Sequence, residues 1–289
     1  MLLLTARPEL KTNSRLVEAA EGLGHPLTVA DSDTLAAFAS RDGVRAVGSA
    51  VCNPRPEVVI ARVGNWRPES TMAVLEGLIG AGSATPNPPT AIRLGRDHWL
   101  TIEKLASNGL SVPETIAGAD PQALAAAAVG ELGLPVVVKQ RRSRMGVGVI
   151  RCATRDHLDA VLDSLWRLGD EVIVQRWMPE GTTTVRVLVV NGAAVAAARF
   201  HAAAGDWRSN AARSGTAESY RLSSNEARTA VAVAGVLGLG HCGVDLVVRN
   251  GEAVVLEVNP TPGFLRLEDV TGIDVARAIV LGAVEAATP

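Results

Sequence analysis

Residues 243–264 read GVDLVVRNGEAVVLEVNPTPGF, two apolar runs joined at Asn250-Gly251 and closed by a Pro-Gly turn. Side chains two apart on a strand share a face, so Glu257 and Asn259 point together, away from a face built by Val254, Leu256 and Val258. Two hard oxygen donors followed by a turn suit a cation; a polar face meeting water is the plainer alternative. The parity of the hairpin loop decides what the first run adds. An even loop sets Asp245 across from Leu256 and away from Glu257, whereas an odd loop, such as a three-residue turn with Gly251 left-handed, puts Asp245 on the face of Glu257 and Asn259. The odd loop is expected here. Asp245, Glu257 and Asn259 then form an oxygen-only cluster suited to Mg²⁺ shared with phosphates. Two converging carboxylates without a cation would repel each other, and no lysine lies nearby in sequence to compensate.

Working outward, residues 135–150 read PVVVKQRRSRMGVGVI: an apolar strand ending in Lys139, then a basic loop containing Gly146 and Gly148. Lysine supplies a point charge and the glycines let backbone N–H groups approach phosphates. The G-x-x-x-x-G-K-[ST] spacing of a Walker loop is absent, and a β-hairpin with an exposed basic tip is the alternative. Residues 197–215, AARFHAAAGDWRSNAARSG, mix Arg199, Arg208 and Arg213 with Asn210. Arginines fork onto carboxylates and phosphates, although a loop of solvated arginines fits the same composition. Ser209 and Ser214 have no histidine–acid pair placed with them and are not nucleophiles.

The start of the chain alternates strand and helix (LLLTA, SRLVEAAEGLG, PLTVA, PEVVIARVG, PESTMAVLEGLIGAG), which predicts a small parallel α/β layer. Three prolines in TPNPPT, residues 85–90, mark a boundary. Helices are expected near 97–107, over PQALAAAAVGEL, near 155–168, near 224–238 and over GIDVARAIVLGAVEAA, and a strand over EVIVQRWM. With 289 residues, 47% hydrophobic and 20% charged, the chain is globular, and its net charge of −2 gives no basic field for nucleic acid. Cys52, Cys152 and Cys242 are too scattered for a disulfide framework or zinc site. MLLLTARPEL is too short and too soon charged for a signal peptide, and no stretch is long enough to span a membrane, so the expectation is a cytoplasmic protein with no membrane partner. The first strand–helix turn lacks G-x-G-x-x-G, which argues against an oxidoreductase.

In order and spacing these pieces resemble an ATP-grasp ligase, closest to the RimK-like branch, the α-L-glutamate ligases. The resemblance covers nearly the whole chain, through AIRLGRDHWLTIEKLASNGLSVPET, PVVVKQRRSRMGVGV, VIVQRWMPEGTTTVRVLVVNG, AGDWRSNAARSG, GVDLVV and LEVNPTPGF. It implies an α/β (α+β) ATP-grasp fold: a Rossmann-like pre-ATP-grasp domain over residues 1–90, a central lobe over 91–171 and a C-terminal lobe over 172–289, with ATP sandwiched between the lobes. It also implies an ATP-dependent carboxylate–amine ligase working through an acyl-phosphate. Lys139 matches the ATP-contacting lysine, and Arg141 to Gly148 the glycine loop over the phosphates. Gln175, Arg176, Trp177 and Met178 match the adenine hinge, and Glu180 the ribose-holding acid. Asp245, Glu257 and Asn259 match the Mg²⁺ ligands, two ions in all, with Mn²⁺ able to substitute. Asn210 and Arg213, helped by Arg186, match the residues around the reacting carboxylate. On the substrate side stand Arg199, Arg208 and Gly263. Partners implied are an amino-acid or carboxylate substrate and an amine acceptor (small molecule, peptide or carrier protein), within a homodimer or homotetramer. The chain departs from the family pattern in three places: His98 stands for a lysine that contacts phosphate, Ser214 for a glycine, and the basic QRRSRM for an acidic loop. A nucleotide-binding regulatory protein on the same fold and an ATP-grasp phosphotransferase are the competing functions.

Overall fold

The computed structural model describes residues 1–48, 55–142, 148–207, 215–249 and 251–287. The chain opens with β1 (Leu2–Thr5), α1 (Lys11–Gly22) and β2 (Thr28–Asp31), followed by β3 (Ala36–Ser40), β4 (Gly43–Val47), β5 (Val59–Arg62) and α2 (Pro68–Gly80). β1 lies between β2 and β5 and pairs in parallel with both. All four residues of β1 and of β5 are buried, as a parallel strand covered on both faces requires. The expected alternation holds here except for the β3–β4 hairpin, which turns at Arg41-Asp42 and packs on α2.

After the proline-rich boundary come α3 (Pro89–Arg96) and α4 (His98–Ser107), then β6 (Thr115–Ala117), α5 (Pro121–Ala127), β7 (Val136–Gln140), β8 (Val149–Cys152), α6 (Arg155–Arg167) and β9 (Val172–Arg176). α3 was not expected; Pro89 in its first turn starts it without an N–H to satisfy. The strands form an antiparallel sheet in the order β6-β9-β7-β8, and α5 and α6 cover the face carrying Val136, Val138, Val172 and Val174. The proline-rich segment itself is tied down by Asn87, whose amide donates to the carbonyls of His241 (2.8 Å) and Pro260 (2.9 Å).

The remainder is β10 (Thr183–Val190), β11 (Ala193–His201), β12 (Ala217–Ser219), α7 (Ser224–Leu237), β13 (His241–Arg249), β14 (Glu252–Asn259), α8 (Leu265–Thr271) and α9 (Val275–Ala286). Its antiparallel sheet runs β12-β11-β10-β13-β14. One face packs Val185, Val187, Val244 and Val258 against α7. The other packs Leu188, Val190 and Phe200 against α8 and α9, and it shares that core with Leu3, Leu16 and Ile60 of the N-terminal layer. The first layer and the last sheet are therefore one hydrophobic unit, and a cleft between them has rigid walls.

The decisive hairpin corrects one expectation. Arg249 pairs with Glu252, so the loop is the even, two-residue Asn250-Gly251 step and not an odd one. Asp245 nevertheless pairs with Glu257, because the register shifts between Asp245 and Leu246, which pairs with Val255; Leu256 is the extra residue of a β-bulge. Gly251 is left-handed (φ +81°) as expected, and Asn250 lies outside the described residues. The bulge also changes the apolar face: Val255 and Val258 enter the core, while Val254, paired with Val247, stands on the same side as Asp245 and Glu257.

Candidate functional site

β13 and β14 place Asp245, Glu257 and Asn259 on one face of the last sheet, with Asp245 and Glu257 directly opposed. Their repulsion is offset from a neighbouring strand. Arg186 of β10 pairs with Asp245 in the ladder, and its Nε and Nη2 donate to the two Asp245 oxygens at 2.7 and 2.6 Å. Burial disfavours the guanidinium charge, but the Asp245 carboxylate, with Glu257 behind it, outweighs burial and holds the Arg186 pKa above its ordinary value. The fork is the bidentate geometry that makes arginine–carboxylate pairs strong. The sequence reading assigned the offsetting charge to a metal ion; in the structure an arginine 59 residues away in sequence also supplies it. The Asn259 amide oxygen accepts from the Thr261 N–H at 2.9 Å, which fixes its orientation. Two carboxylates and an oriented amide oxygen on one face fit Mg²⁺, a hard cation that takes oxygen ligands.

Across the cleft, β7 and β9 present Lys139 and Gln175. Register pairs Lys139 with Ile173 and Val137 with Gln175, so both polar side chains leave the helix-covered face of their sheet. The Lys139 ammonium donates to Gln175 Oε1 at 2.6 Å, and Gln175 Nε2 donates to Thr115 Oγ1 at 3.0 Å. Burial lowers the Lys139 pKa, with the charge of Glu257 acting in the opposite sense, so the lysine and the acidic face sense one another across the gap. Gln175 has both ends engaged and orients the lysine. Arg151 of β8, not singled out from sequence, pairs with Val137 and faces the same way; its guanidinium lies 4.0 Å from the Trp177 ring centre.

Several expected contacts fall elsewhere. Arg141, placed by sequence over the phosphates, instead forks onto Asp97 (3.1 and 2.7 Å), a buried carboxylate that also caps α4 by accepting from Trp99 and Leu100 N–H. The His98 N–H donates to the Arg141 carbonyl at 2.8 Å, so α4 begins against the stem of the glycine loop. Asp97 could have been read from the sequence as an N-cap before an apolar-periodic segment. Arg176, expected at the adenine hinge through its backbone, has its N–H engaged by the Glu114 carbonyl, while its side chain turns to the back of the sheet and donates to Glu114 and to the carbonyls of Glu131 and Leu132. Arg199, expected beside the substrate, pairs with Val185 and so stands on the opposite face from Arg186; it meets Glu218 at 3.4 Å and lies 4.2 Å over Tyr220. Gly146, Arg208, Asn210 and Arg213, together with Ser214, lie outside the described residues. Gly148, left-handed at φ +68°, closes the glycine loop: a Cβ there would strike the Gln140 side chain.

On one side of the hairpin, Met178 packs with Val247, Val254 and Leu256 into a small apolar patch, and Glu180 stands beside it, 3.8 Å from Arg249. Glu180 Oε2 is buried with no hydrogen-bond partner. An apolar platform next to an unmatched acceptor suits a base stacked beside a ribose hydroxyl. On the other side of the carboxylate face, a cavity of about 580 Å³ opens toward the carboxyl ends of β1 and β5, and Arg186, Glu257, Asn259 and Gly263 line it. That position is where ligands enter open α/β layers.

A lysine-bearing sheet and a carboxylate-bearing sheet closing on one cleft, with a parallel α/β layer at its mouth, define an ATP-grasp ligase fold. A family model described as the RimK-like ATP-grasp domain matches residues 95–282. The chain is 34% identical over 283 residues to a probable alpha-L-glutamate ligase of Marinomonas sp. (strain MWYL1), covering 96% of this chain and 93% of that protein. A probable alpha-L-glutamate ligase of Saccharophagus degradans is 34% identical over 288 residues, covering 98% and 94%. Among solved structures, the ATP-grasp ligase PsnB complexed with minimal precursor superposes with a TM-score of 0.76 at 21% identity, covering 99% and 98% of the two chains. A RimK domain ATP-grasp protein of Sphaerobacter thermophilus gives 0.74 at 24%, covering 98% and 99%. The protein belongs to the RimK-like ATP-grasp family, and is an enzyme that forms carbon–nitrogen bonds at the expense of ATP. Among the described residues no helix is long and apolar enough to cross a membrane.

Proposed function

We propose that the protein joins an amino acid to a carboxylate-bearing acceptor through an acyl-phosphate. The substrate carboxylate attacks the γ-phosphorus of ATP and ADP leaves. The amine then attacks the acyl carbon, phosphate leaves, and the ammonium proton is lost to solvent. The observation that supports this reading is that Lys139 of one sheet and Glu257 of the other lie close enough for the carboxylate charge to act on the ammonium, with Asp245 and Asn259 on the face of Glu257. Lys139, held by Gln175, meets the phosphate oxygens; Met178 and Glu180 take the base and the ribose. Asp245, Glu257 and Asn259 hold Mg²⁺, two ions in the fuller form of this proposal and with Mn²⁺ as a substitute, and the metal neutralises phosphate charge. Arg186, already on Asp245, is placed to stabilise negative charge developing beside that face. Arg213 and Asn210 are assigned to the reacting carboxylate by resemblance alone. The lobes of this reading are residues 91–171 and 172–289, with residues 1–90 forming the substrate-side wall.

Relatives named as probable alpha-L-glutamate ligases make glutamate the first amino acid to try. PsnB and the macrocyclase MdnC of Microcystis aeruginosa, both solved with peptide precursors, make a peptide acceptor the first alternative to a small molecule. The test is ADP release with MgATP across amino acids, singly, in pairs and with peptides, with product masses read in parallel and Glu257→Ala as control. An amide product that needs both partners and vanishes in Glu257→Ala supports the ligase. ADP release with a stable phosphate ester and no amide would replace it by a phosphotransferase.

A further inference from the structure

The substrate-side cavity contains a buried cation that the catalytic reading does not use. Arg62 ends β5, exposes 7% of its surface and lines the cavity beside Arg186 and Glu257. Its Nη1 donates to the Pro262 carbonyl at 2.8 Å, and its Nε is buried without a partner. Among the described residues no carboxylate pairs with it. Burial brings its pKa down to about 10, so it stays charged at neutral pH. Its buried neighbour His241, brought down to about 3 by burial and by the Arg62 charge, is neutral there and offers no compensation.

The other cavity arginines make the contrast. Arg7 donates to Glu9 at 2.7 Å, and Arg186 is held by Asp245. Four arginines line the cavity (Arg7, Arg62, Arg186, Arg266) against one carboxylate, Glu257. A second unmatched group stands in the same wall: the Thr261 hydroxyl is buried, unpartnered, and two residues beyond Asn259. Burying an unpaired charge costs several kcal/mol, so an arginine kept this way is completed by an anion that arrives from outside. A guanidinium edge and a hydroxyl beside it match the two oxygens of a carboxylate.

Resting on the ligase reading above, we propose that Arg62, assisted by Thr261, is the carboxylate-recognising residue of the cleft and pairs with an α- or side-chain carboxylate of the amino acid that reacts there. It sits at the N-terminal wall, so it selects and orients the substrate, while Arg186 and the metal face act on the phosphate.

The test is binding, independent of turnover. The twenty amino acids are titrated by calorimetry into protein saturated with Mg²⁺ and the non-hydrolysable analogue AMP-PNP. The tightest binder is then compared with each of its carboxamide analogues in wild type, Arg62→Gln, Arg62→Lys and Thr261→Val. In wild type, amidating one carboxylate weakens binding on the order of 100-fold, the loss expected when a buried charge is left unpaired. Arg62→Gln reduces that preference to a few-fold, Arg62→Lys falls between, and Thr261→Val loses roughly tenfold, about the worth of one hydrogen bond to a charged group. AMP-PNP affinity stays at the wild-type value in all variants, which separates recognition from misfolding; if Arg62→Gln fails that control, Arg62→Lys carries the comparison. The proposal is overturned if no amino acid binds, if every carboxylate can be amidated without loss, or if the Arg62 variants keep the wild-type preference. Amide product from wild type with an unchanged preference in Arg62→Gln sinks this inference alone. Carboxylate-selective binding that depends on Arg62 without any amide product sinks the ligase reading alone.

Discussion

Replacing Arg186 by glutamine should convert the acidic face from an internally neutralised site into one that depends on added cation. The Arg186–Asp245 fork makes two hydrogen bonds at 2.7 and 2.6 Å between side chains only 14% and 10% exposed. Breaking a buried pair by removing one partner costs about 3–5 kcal/mol, and here Asp245 is left directly across from Glu257. Taking about 3 kcal/mol, and an unfolding entropy near 2.1 cal/mol/K per residue, the 289-residue chain has an entropy of about 0.6 kcal/mol/K and loses about 5 °C in Tm. Mg²⁺ at a hundred times its Kd returns about 2.7 kcal/mol, nearly the same amount. Thermal melts with and without millimolar MgCl₂, no nucleotide present, read both numbers. Arg186→Gln should melt about 5 °C low in EDTA and recover most of that in Mg²⁺. Wild type, whose Asp245 is already occupied by the guanidinium, should respond much less. Adding Asp245→Asn to Arg186→Gln removes the repulsion and should abolish the Mg²⁺ response. Equal Mg²⁺ shifts in wild type and Arg186→Gln would refute the idea that arginine and metal compete for one carboxylate. An unchanged Tm in EDTA would refute the energetic weight given to the pair.

Three further outcomes follow from the same geometry. Burial lowers the Lys139 pKa, whereas a bound phosphate favours its charged form; as pH rises through the depressed value toward 10.5, AMP-PNP affinity should fall and binding should take up a proton, an uptake that calorimetry in two buffers detects and Lys139→Met abolishes. His241 has a pKa near 3 against an ordinary 6.5, so the unfolded chain binds the extra proton and stability is lost as pH falls from 6.5 toward 3. Between pH 6.5 and 5 that loss is about 2 kcal/mol at ~1.4 kcal/mol per unit, measured as the difference in urea-unfolding free energy between wild type and His241→Gln. Gly148→Ala forces a left-handed alanine against the Gln140 side chain, which is itself held by Asp170 at 2.8 Å. It should cost at least about 1–2 kcal/mol from backbone strain and weaken AMP-PNP binding, while an alanine at the exposed Gly169, with no atom near its Cβ, should bear only the strain.

The sheets and the chemistry-bearing strands were legible because each is a local pattern: alternation placed Glu257 beside Asn259, and an apolar run ending in lysine placed Lys139. What escaped depends on partners far away in the chain. The Leu256 bulge sets Val255 opposite Leu246 and Val254 opposite Val247, a register no local pattern announces, and a count of loop residues gave the right face for Asp245 by the wrong route. Arg199 was read as a substrate residue from its company in sequence. Arg186 pairs with Ala198, so Arg199 is one step out of phase, and one step on a strand means the opposite face. Arg141 carried the charge expected of a phosphate ligand, but the buried Asp97 claims it. Arg62 lay in a stretch read as part of the α/β layer and given no site role, and its lack of an acidic partner among the described residues is visible only once the tertiary neighbours are fixed.

The Arg141 miss has a physical origin that reaches across the cleft. The cleft is built so that its charges are mostly satisfied before any ligand arrives: Arg186 by Asp245, Arg141 by Asp97, and Lys139 by the Gln175 oxygen with the field of Glu257. A sequence reading assigns each cation to the ligand, since the internal partner is not adjacent in the chain. Each internal pair subtracts from ligand affinity, because a phosphate or metal must displace a contact already worth about 1.5–3 kcal/mol per charged hydrogen bond. It also lowers the cost of the empty site, where the same charges unpaired would each cost several kcal/mol. The pairs that can exchange partners, Arg186–Asp245 and Lys139–Gln175, sit on the two cleft faces where phosphate and metal are expected. Arg141–Asp97 has its carboxylate buried at the start of α4 and holds that helix to the lysine sheet. Arg62 breaks the pattern, since among the described residues no carboxylate pairs with it. A substrate carboxylate reaching Arg62 would meet no carboxylate competitor among the described residues, only the Pro262 carbonyl that Nη1 already holds. Selectivity for that carboxylate should consequently exceed what the cleft can express toward phosphate or metal, whose binding begins with an exchange.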